Sequence, residues 1–174
     1  MSFNLQPDDL RNDRVALLPL RETDLEVLYT LASDPLVWEQ HPNPNRYQRN
    51  VFETYFKGAM ESKGAFIIKD ALTGEPLGCT RFYDYNEEKR EILIGYTFFG
   101  RAYWGKGYNP AVKKLMLDYA FQFVDKVIFH VGADNMRSRI AMERLGAMNM
   151  GMEEVAYFGE PLKANVIYVI NRPA

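Results

Sequence analysis

The apolar positions of the chain follow two spacings, and each spacing predicts a different kind of element. Apolar residues three and four apart predict helices, one beginning near Thr23 and others over about residues 48–61, 110–124 and 135–145. Short apolar runs between turn residues predict strands at about residues 15–20, 65–69, 77–85, 92–99, 127–131, 148–155 and 166–170. The order of one strand, two helices, three strands, helix, strand, helix and two strands indicates an α/β (α+β) fold with a mixed sheet.

Several predicted helices are bounded by residues that start or stop helices. Thr23, with Glu26 three residues later, forms a capping-box pattern, and Pro35 ends the first helix. Pro110 suits the first turn of the third helix, and Gly146 follows the last helix as a stop signal. The Pro- and Asn-rich stretch at residues 41–45 is too short for a linker and is interpreted as a loop. We therefore expect residues 1–174 to form one domain.

The composition is typical of a soluble globular protein, with 47% hydrophobic and 25% charged residues. The 21 basic and 23 acidic residues argue against a general nucleic-acid binder, which is usually clearly basic. The single Cys79 cannot form a disulfide within the chain, and no residues have metal-ligand spacing. No apolar segment approaches the roughly 20 residues of a membrane helix, and the first residues lack the features of a signal peptide. We therefore expect a cytoplasmic protein without membrane contact.

The segment at residues 101–110, R-A-Y-W-G-K-G-Y-N-P, is the most informative in the chain. It joins a predicted strand to a predicted helix, and its two glycines leave the backbone open to a ligand. Five backbone N–H groups are expected to point outward at the helix N-terminus, those of Gly105, Lys106, Gly107, Tyr108 and Asn109. Such a cluster binds phosphate with help from the helix dipole. Positive charge from Lys106, Lys113 and Lys114 strengthens the prediction of a site for a pyrophosphate-bearing ligand.

Two other phosphate-binding patterns fit this segment poorly. A Walker-type loop requires G-x-x-x-x-G-K-[ST], whereas here Lys106 lies between the glycines and no Ser or Thr follows. A dinucleotide fingerprint requires G-x-G-x-x-G early in a βαβ unit, whereas here Pro110 takes the third glycine position. For the loop taken alone, a plain strand-to-helix turn that needs two glycines remains the alternative.

Together with two other segments, this loop resembles the GNAT superfamily of N-acetyltransferases. The segments are I-G-Y-T-F-F at residues 94–99, Y-W-G-K-G-Y-N at 103–109 and N-M-R-S-R-I-A-M-E-R-L-G-A at 135–147. The sequence is most similar to the branch that includes the ribosomal-protein N-terminal alanine acetyltransferases, and the order of predicted elements agrees over nearly the whole chain. The resemblance implies a mixed, mostly antiparallel twisted sheet with flanking helices. Its central parallel strands, 92–99 and 127–131, would splay apart.

In this family acetyl-CoA binds as a co-substrate in the splay between those two strands. The resemblance implies that the pantetheine arm pairs with the backbone at Thr97, Phe98 and Phe99, and that Asn135 hydrogen-bonds the same arm. It places Ser138 near the sulfur, as a candidate proton donor, and the pyrophosphate on the five amides of the glycine loop. Taken singly, a helix cap for Asn135 and a solvent-facing position for Ser138 are the commoner roles.

Three positions depart from the usual pattern of the family. Ala102 stands at the first position of its Q/R-x-x-G-x-G/A motif. Met142 stands where many members carry a Tyr that protonates the leaving thiolate, and Leu93 where related branches carry an acidic residue. The candidate bases are Glu39, His41, Asp84 and Glu91.

The implied reaction is direct attack of a primary amine on the acetyl thioester, with a protein N-terminus or a small-molecule amine as acceptor. Deprotonating an α-amino group with a pKa near 8 costs only about 1–1.5 kcal/mol at pH 7, so a weak base suffices. Five aromatic residues are candidates for an acceptor pocket that suits an apolar or cationic group, namely Trp38, Tyr83, Tyr85, Tyr96 and Tyr103. The alternative function is a non-catalytic acyl-CoA-binding sensor or interaction module. In either case we expect a monomer or homodimer.

Overall fold

An eight-stranded sheet forms the centre of the protein in a computed structural model that describes residues 2–174. Its strands are β1 (Leu10–Arg11), β2 (Val15–Pro19), β3 (Ala65–Asp70), β4 (Pro76–Asn86), β5 (Glu91–Phe99), β6 (Lys126–Gly132), β7 (Met148–Ala156) and β8 (Leu162–Asn171). Four helices flank it, α1 (Leu25–Ala32), α2 (Arg49–Ser62), α3 (Tyr108–Ala120) and α4 (Met136–Arg144). No helix within residues 2–174 is long and apolar enough to cross a membrane.

The strand order is β1-β2-β3-β4-β5-β6-β8-β7, and every neighbouring pair is antiparallel except β5 and β6. The parallel pairing runs from Glu91 opposite Lys126 to Leu93 opposite Ile128, and then the two strands separate. Beyond that point β6 pairs with β8 alone. The prediction of a mixed, mostly antiparallel sheet with two splayed parallel strands is therefore confirmed, and the edge of β5 from residue 94 onward has no strand partner on its β6 side.

A β-bulge interrupts β5 at the point where the splay opens. Cys79 lies opposite Phe98 and Arg81 lies opposite Gly95, so β5 contains one more residue than β4 between these pairs. Tyr96 within the bulge has a left-handed φ of 53°. Because an extra residue re-aims the side chains around it, Tyr96 packs with the α1–α2 side of the sheet while the Thr97 side chain reaches α3.

The sheet has a core on each face. One core lies between the sheet and α3 and includes Ile94, Val112 and Met116. The other lies under α1 and α2 and includes Trp38 and Phe98. The apolar stripes of α1, α2 and α3 thus cover the two faces of the sheet.

One local prediction is wrong, one short strand is not predicted, and one predicted helix has different bounds. The Thr23–Glu26 capping box does not form, because residues 22–24 form a short 3-10 turn in which the Asp24 carboxylate accepts the Arg21 N–H at 2.9 Å. The short β1 is a further strand that the apolar pattern does not predict. The third helix begins two residues earlier than expected and ends at Ala120, because residues 121–123 turn toward β6.

Candidate active site

The glycine loop presents a row of free backbone donors at the N-terminus of α3. Gly105 and Gly107 have φ of 72° and 81°, a conformation that glycine adopts without strain, and Gly107 is the N-cap of the helix. Within residues 2–174, no backbone N–H from Gly105 to Asn109 donates to another protein group. The exposed loop residues therefore offer their amides to an anion at the positive end of the helix dipole.

The loop is attached to two distant strands through contacts that the sequence pattern does not reveal. Arg14 donates from Nη2 to the Lys106 carbonyl at 2.6 Å, and its guanidinium lies 4.8 Å from the centre of the Tyr108 ring. The Tyr108 hydroxyl donates to Asp70 Oδ2 at 2.7 Å. This bond, with backbone N–H groups of Thr73 and Leu72, lowers the pKa of Asp70 to about 2. Arg14 also lies beside Gly107, which adds a positive charge to the loop.

Lys113 lies apart from the exposed lysines with which the sequence groups it. Its side chain is only 5% exposed, and Nζ donates to Thr97 Oγ1 at 2.9 Å. Thr97 Oγ1 in turn lies 2.8 Å from Thr80 Oγ1 on β4. Burial lowers the pKa of Lys113 to about 7. The expectation that Lys113 adds a cation to the exposed helix end is therefore corrected, since its amine sits beneath the bulge of β5.

The first turn of α4 brings two predicted residues to the end of β6. The side chain of Asn135 is buried at the N-cap and its Oδ1 accepts the Ser138 N–H at 3.3 Å. Ser138 is half-buried. Met142, at the position of the family's usual Tyr, is buried in the core and supplies no acid there.

A cavity of about 450 Å³ opens beside this region, between the α1–α2 connection and the ends of β6 and β8. Its lining includes Glu39, His41, Asp134 and Lys163. At one side of the cavity the backbone of Gly132 packs closely against the Pro42 ring, and a Cβ at residue 132 would lie 2.6 Å from Pro42 Cγ. The lining is polar and apolar in about equal parts and includes the carboxylates of Glu39 and Asp134.

The structure brings two of the four candidate bases to this cavity. Glu39 is exposed and lines it. His41 also lines it, but burial and the nearby charges of Arg46 and Arg137 lower its pKa to about 3, which makes it a weak base. Asp84 lies on β4 outside the lining, and Glu91 pairs with Lys126 at 4.0 Å at the start of β5.

Next to His41 lies a cluster of aromatic rings around two buried arginines. The Arg46 guanidinium lies 5.3 to 6.0 Å from four ring centres, those of Trp38, Tyr55, Tyr96 and Tyr157. The Arg81 guanidinium lies 3.6 Å from the Tyr96 ring centre and 5.4 Å from that of Tyr55. Arg46 forms a salt bridge with Glu160, in the β7–β8 connection. We call these four rings and two arginines the arginine chamber.

Three of the five aromatic residues singled out from the sequence meet at this chamber. Trp38 and Tyr96 belong to it, and the Tyr83 ring centre lies 5.1 Å from that of Tyr96. Tyr85 instead packs on Phe3, and Tyr103 packs near Tyr108. From the sequence, these rings are expected to suit an apolar or cationic acceptor. In the structure their cationic neighbours are two side chains of the protein, Arg46 and Arg81.

The lone thiol lies in the core beside Tyr55 and Arg81 of the chamber and is a poor nucleophile. Cys79 is fully buried, and burial raises its pKa to about 11. Since the thiolate is the nucleophilic form, Cys79 serves as a small core residue.

The comparison with protein families matches residues 14–148 to the acetyltransferase (GNAT) domain. Among solved structures, an acetyltransferase (GNAT family) from Bacillus anthracis is 20% identical, with a TM-score of 0.75 over 94% of this chain and 98% of that one. The microcin C7 self-immunity acetyltransferase MccE, solved with acetyl-CoA and AMP, is 19% identical, with a TM-score of 0.75 over 98% of this chain and 100% of that one. RimJ from Mycobacterium smegmatis, solved with CoA-disulfide, is 18% identical, with a TM-score of 0.70 over 90% and 81%. With its splayed sheet and a family match over most of its length, the chain belongs to the GNAT family of acetyltransferases.

Proposed function

We propose that this protein transfers an acetyl group from acetyl-CoA to a primary amine by direct attack of the amine on the thioester. The observation that carries the proposal is that a row of free backbone amides lies next to a free strand edge. Five backbone amides without an acceptor, residues 105–109, adjoin the edge of β5 that has lost its strand partner. The first suits a diphosphate and the second suits the amide groups of a pantetheine arm. MccE and RimJ, which share the fold, were solved with CoA compounds, which supports this choice of ligand.

The ligand-binding residues follow from this placement. The diphosphate is held by the amides of Gly105, Lys106, Gly107, Tyr108 and Asn109. The pantetheine arm runs along the backbone of Thr97, Phe98 and Phe99 toward Asn135. Lys113 supports this edge from beneath, because its amine holds the Thr97 side chain at the bulge.

Besides the attack itself, the reaction needs a donor for the oxyanion, a proton for the leaving thiolate and a base for the amine. The amine nitrogen bonds to the acetyl carbon, and a backbone N–H near Phe98 stabilises the oxyanion that forms. The C–S bond then breaks, and the thiolate takes a proton from Ser138 or from a water that Ser138 holds. The amine loses its proton to a water or to Glu39, since His41 is too weak a base.

Two measurements test the proposal. Calorimetry with CoA should show binding to the purified protein, and a panel of primary amines should release free thiol from acetyl-CoA. Tight CoA binding without thiol release on any amine would favour the acyl-CoA-binding module. Absence of CoA binding would overturn both functions.

A further inference from the structure

The arginine chamber holds two cations in a nearly dry environment. Arg46 and Arg81 are each only 3% exposed, and both guanidinium groups lie against the rings of Tyr55 and Tyr96. Ring faces favour a cation, but they supply no counter-charge and no hydrogen-bond acceptor of full strength. Anionic partners would therefore stabilise these two buried guanidinium groups.

The protein supplies one carboxylate for the two arginines. Glu160 Oε2 accepts from Arg46 Nε at 3.0 Å and lies 2.9 Å from Arg46 Nη2. Arg81 has no salt bridge among residues 2–174 and donates only to the Tyr55 carbonyl, at 3.3 Å. Arg81 Nε is buried without a hydrogen-bond partner, and Arg46 Nη2 faces the Glu160 oxygen without the geometry of a hydrogen bond to it.

This arrangement is matched to a carboxylate. A buried guanidinium with free N–H groups is costly, and a carboxylate with two oxygens relieves that cost through paired, charge-assisted hydrogen bonds. Glu160 offers Arg46 only one of its oxygens. A second carboxylate that engages both nitrogens of the fork would satisfy the donors that Glu160 leaves free.

The chamber lies beside the cavity where the acceptor amine is expected. The His41 ring lines that cavity and its centre lies 5.0 Å from that of Trp38. Pro44 and Lys163, which also line it, stand two residues before Arg46 and three residues after Glu160. Glu160 belongs to a turn closed by its own N–H to the Tyr157 carbonyl at 2.9 Å, with exposed residues at its tip. Its carboxylate can thus leave Arg46 without disturbing a strand.

We propose that the acceptor carries a carboxylate close to its primary amine, and that Arg46 and Arg81 bind this carboxylate, with Glu160 occupying Arg46 when no acceptor is present. The acceptor class is thus an amino acid or a compound with the same pair of groups. The part that concerns acetyl transfer rests on the proposed function, whereas the part that concerns carboxylate binding does not.

The first test measures thiol release by the wild-type protein with matched acceptors, phenylalanine against phenylalaninamide and glycine against glycinamide. A neighbouring carboxylate lowers the fraction of neutral amine, so chemistry alone favours the amides. We expect kcat/KM to favour at least one amino acid over its amide by about tenfold or more, as for a charge-assisted hydrogen bond. Arg46→Gln should abolish the preference for the amino acid over its amide.

The matched control is Arg49→Gln, because Arg49 also pairs with a glutamate over a tyrosine ring but is exposed. A wild-type preference for both amides would overturn the proposal.

The second test does not need acetyl transfer. In Glu160→Gln, Arg46 has lost its counter-charge, so phenylalanine should raise the thermal unfolding midpoint of this variant more than that of the wild type. Phenylalaninamide should raise neither. Equal responses to the two compounds, or no response to phenylalanine or glycine, would overturn carboxylate binding. If Glu160→Gln does not fold, the same comparison is made with Glu160→Asp, whose shorter side chain holds Arg46 less well.

The two tests separate the two proposals. If no amine releases thiol but phenylalanine raises the unfolding midpoint as expected, the transfer reaction is rejected and carboxylate binding is kept.

Discussion

Gly107 shows how a single residue directs the backbone amides that are proposed to bind phosphate. Its φ of 81° aims the amides of the α3 N-terminus outward, and a Cβ there would meet only Arg14 Nη1, at 3.6 Å. The backbone conformation, and not lack of space, therefore requires glycine at this position. A branched residue there costs about 1–2 kcal/mol in the left-handed region and shifts the loop.

Gly107→Val should weaken CoA binding by about tenfold or more, because the displaced amides lose hydrogen bonds to the phosphates. Calorimetry with CoA measures the change. Gly151→Val is the matched control, since Gly151 has a φ of 103° with open space around it and lies on the edge strand β7. Equal CoA affinity in the two variants would contradict the assignment of the loop.

Ser138 is the residue whose hydroxyl is proposed to return a proton to the leaving thiolate. Ser138→Ala should lower kcat by about tenfold or more while the dissociation constant for CoA stays unchanged. Steady-state thiol release and calorimetry separate the two quantities. Ser138→Thr, which keeps a hydroxyl, should retain most of the rate. An unaltered rate in Ser138→Ala would exclude the role.

At the scale of elements, the contact between α3 and the bulge of β5 holds the free edge of β5, which is proposed to bind the cofactor. Lys113 on α3, Thr97 on β5 and Thr80 on β4 form a polar chain across an otherwise apolar core. The amine is desolvated and its pKa is lowered from 10.5 to about 7. Burying this amine between α3 and β5 therefore lowers the free energy of unfolding by an amount that depends on pH.

Lys113→Met should make the fold more stable than the wild type at pH 7, with a gain that shrinks as the pH approaches 10. Between pH 7 and about 10.5 the unfolded wild-type chain binds a proton at Lys113 that the folded chain does not, so wild-type stability rises with pH across this window. Urea unfolding at pH 7 and pH 10 measures the difference.

Lys114→Met is the control for this effect, because Lys114 is exposed and pairs with Asp118 on the helix surface. Its effect on the free energy of unfolding should be small at pH 7. A stability difference between Lys113→Met and the wild type that does not change with pH would show that Lys113 keeps an ordinary pKa in the fold.

At the scale of the whole molecule, the Arg46–Glu160 pair joins two connections that are 114 residues apart in the chain. Arg46 belongs to the α1–α2 connection and Glu160 to the β7–β8 connection, and their side chains are 3% and 9% exposed. The pair thus joins the α1–α2 connection, which lines one side of the cavity, to the end of the sheet.

Arg46→Gln should lower the free energy of unfolding by about 3–5 kcal/mol, because it leaves the Glu160 carboxylate without its partner in a buried position. Arg49→Gln, which breaks an exposed pair, should cost about 1 kcal/mol or less. Urea unfolding of both variants at pH 7 gives the comparison. Equal losses would show that the chamber is open to water.

Local patterns were enough to predict most elements and the glycine loop. The apolar spacings locate α2, β5 and α4, since the period of a helix or a strand is set by its own backbone. The outward amides of residues 105–109 follow from two glycines and a helix start. The capping box at Thr23 is wrong because Asp24 caps Arg21 instead, a choice between near neighbours that differ little in energy.

The sequence by itself thus determined the order of all elements except β1, the family, and the glycine segment at the start of α3, because these depend on contacts within a few residues. The tertiary structure alone decided where β5 and β6 part, since their parallel pairing joins residues that are distant in the chain, from Glu91 opposite Lys126 to Leu93 opposite Ile128. It also decided that Lys113 is buried, that Arg14 holds the loop, and that Arg46 has a carboxylate partner whereas Arg81 donates only to a backbone carbonyl. Charge and burial at these sites arise from residues that are distant in sequence, so no local pattern contains them.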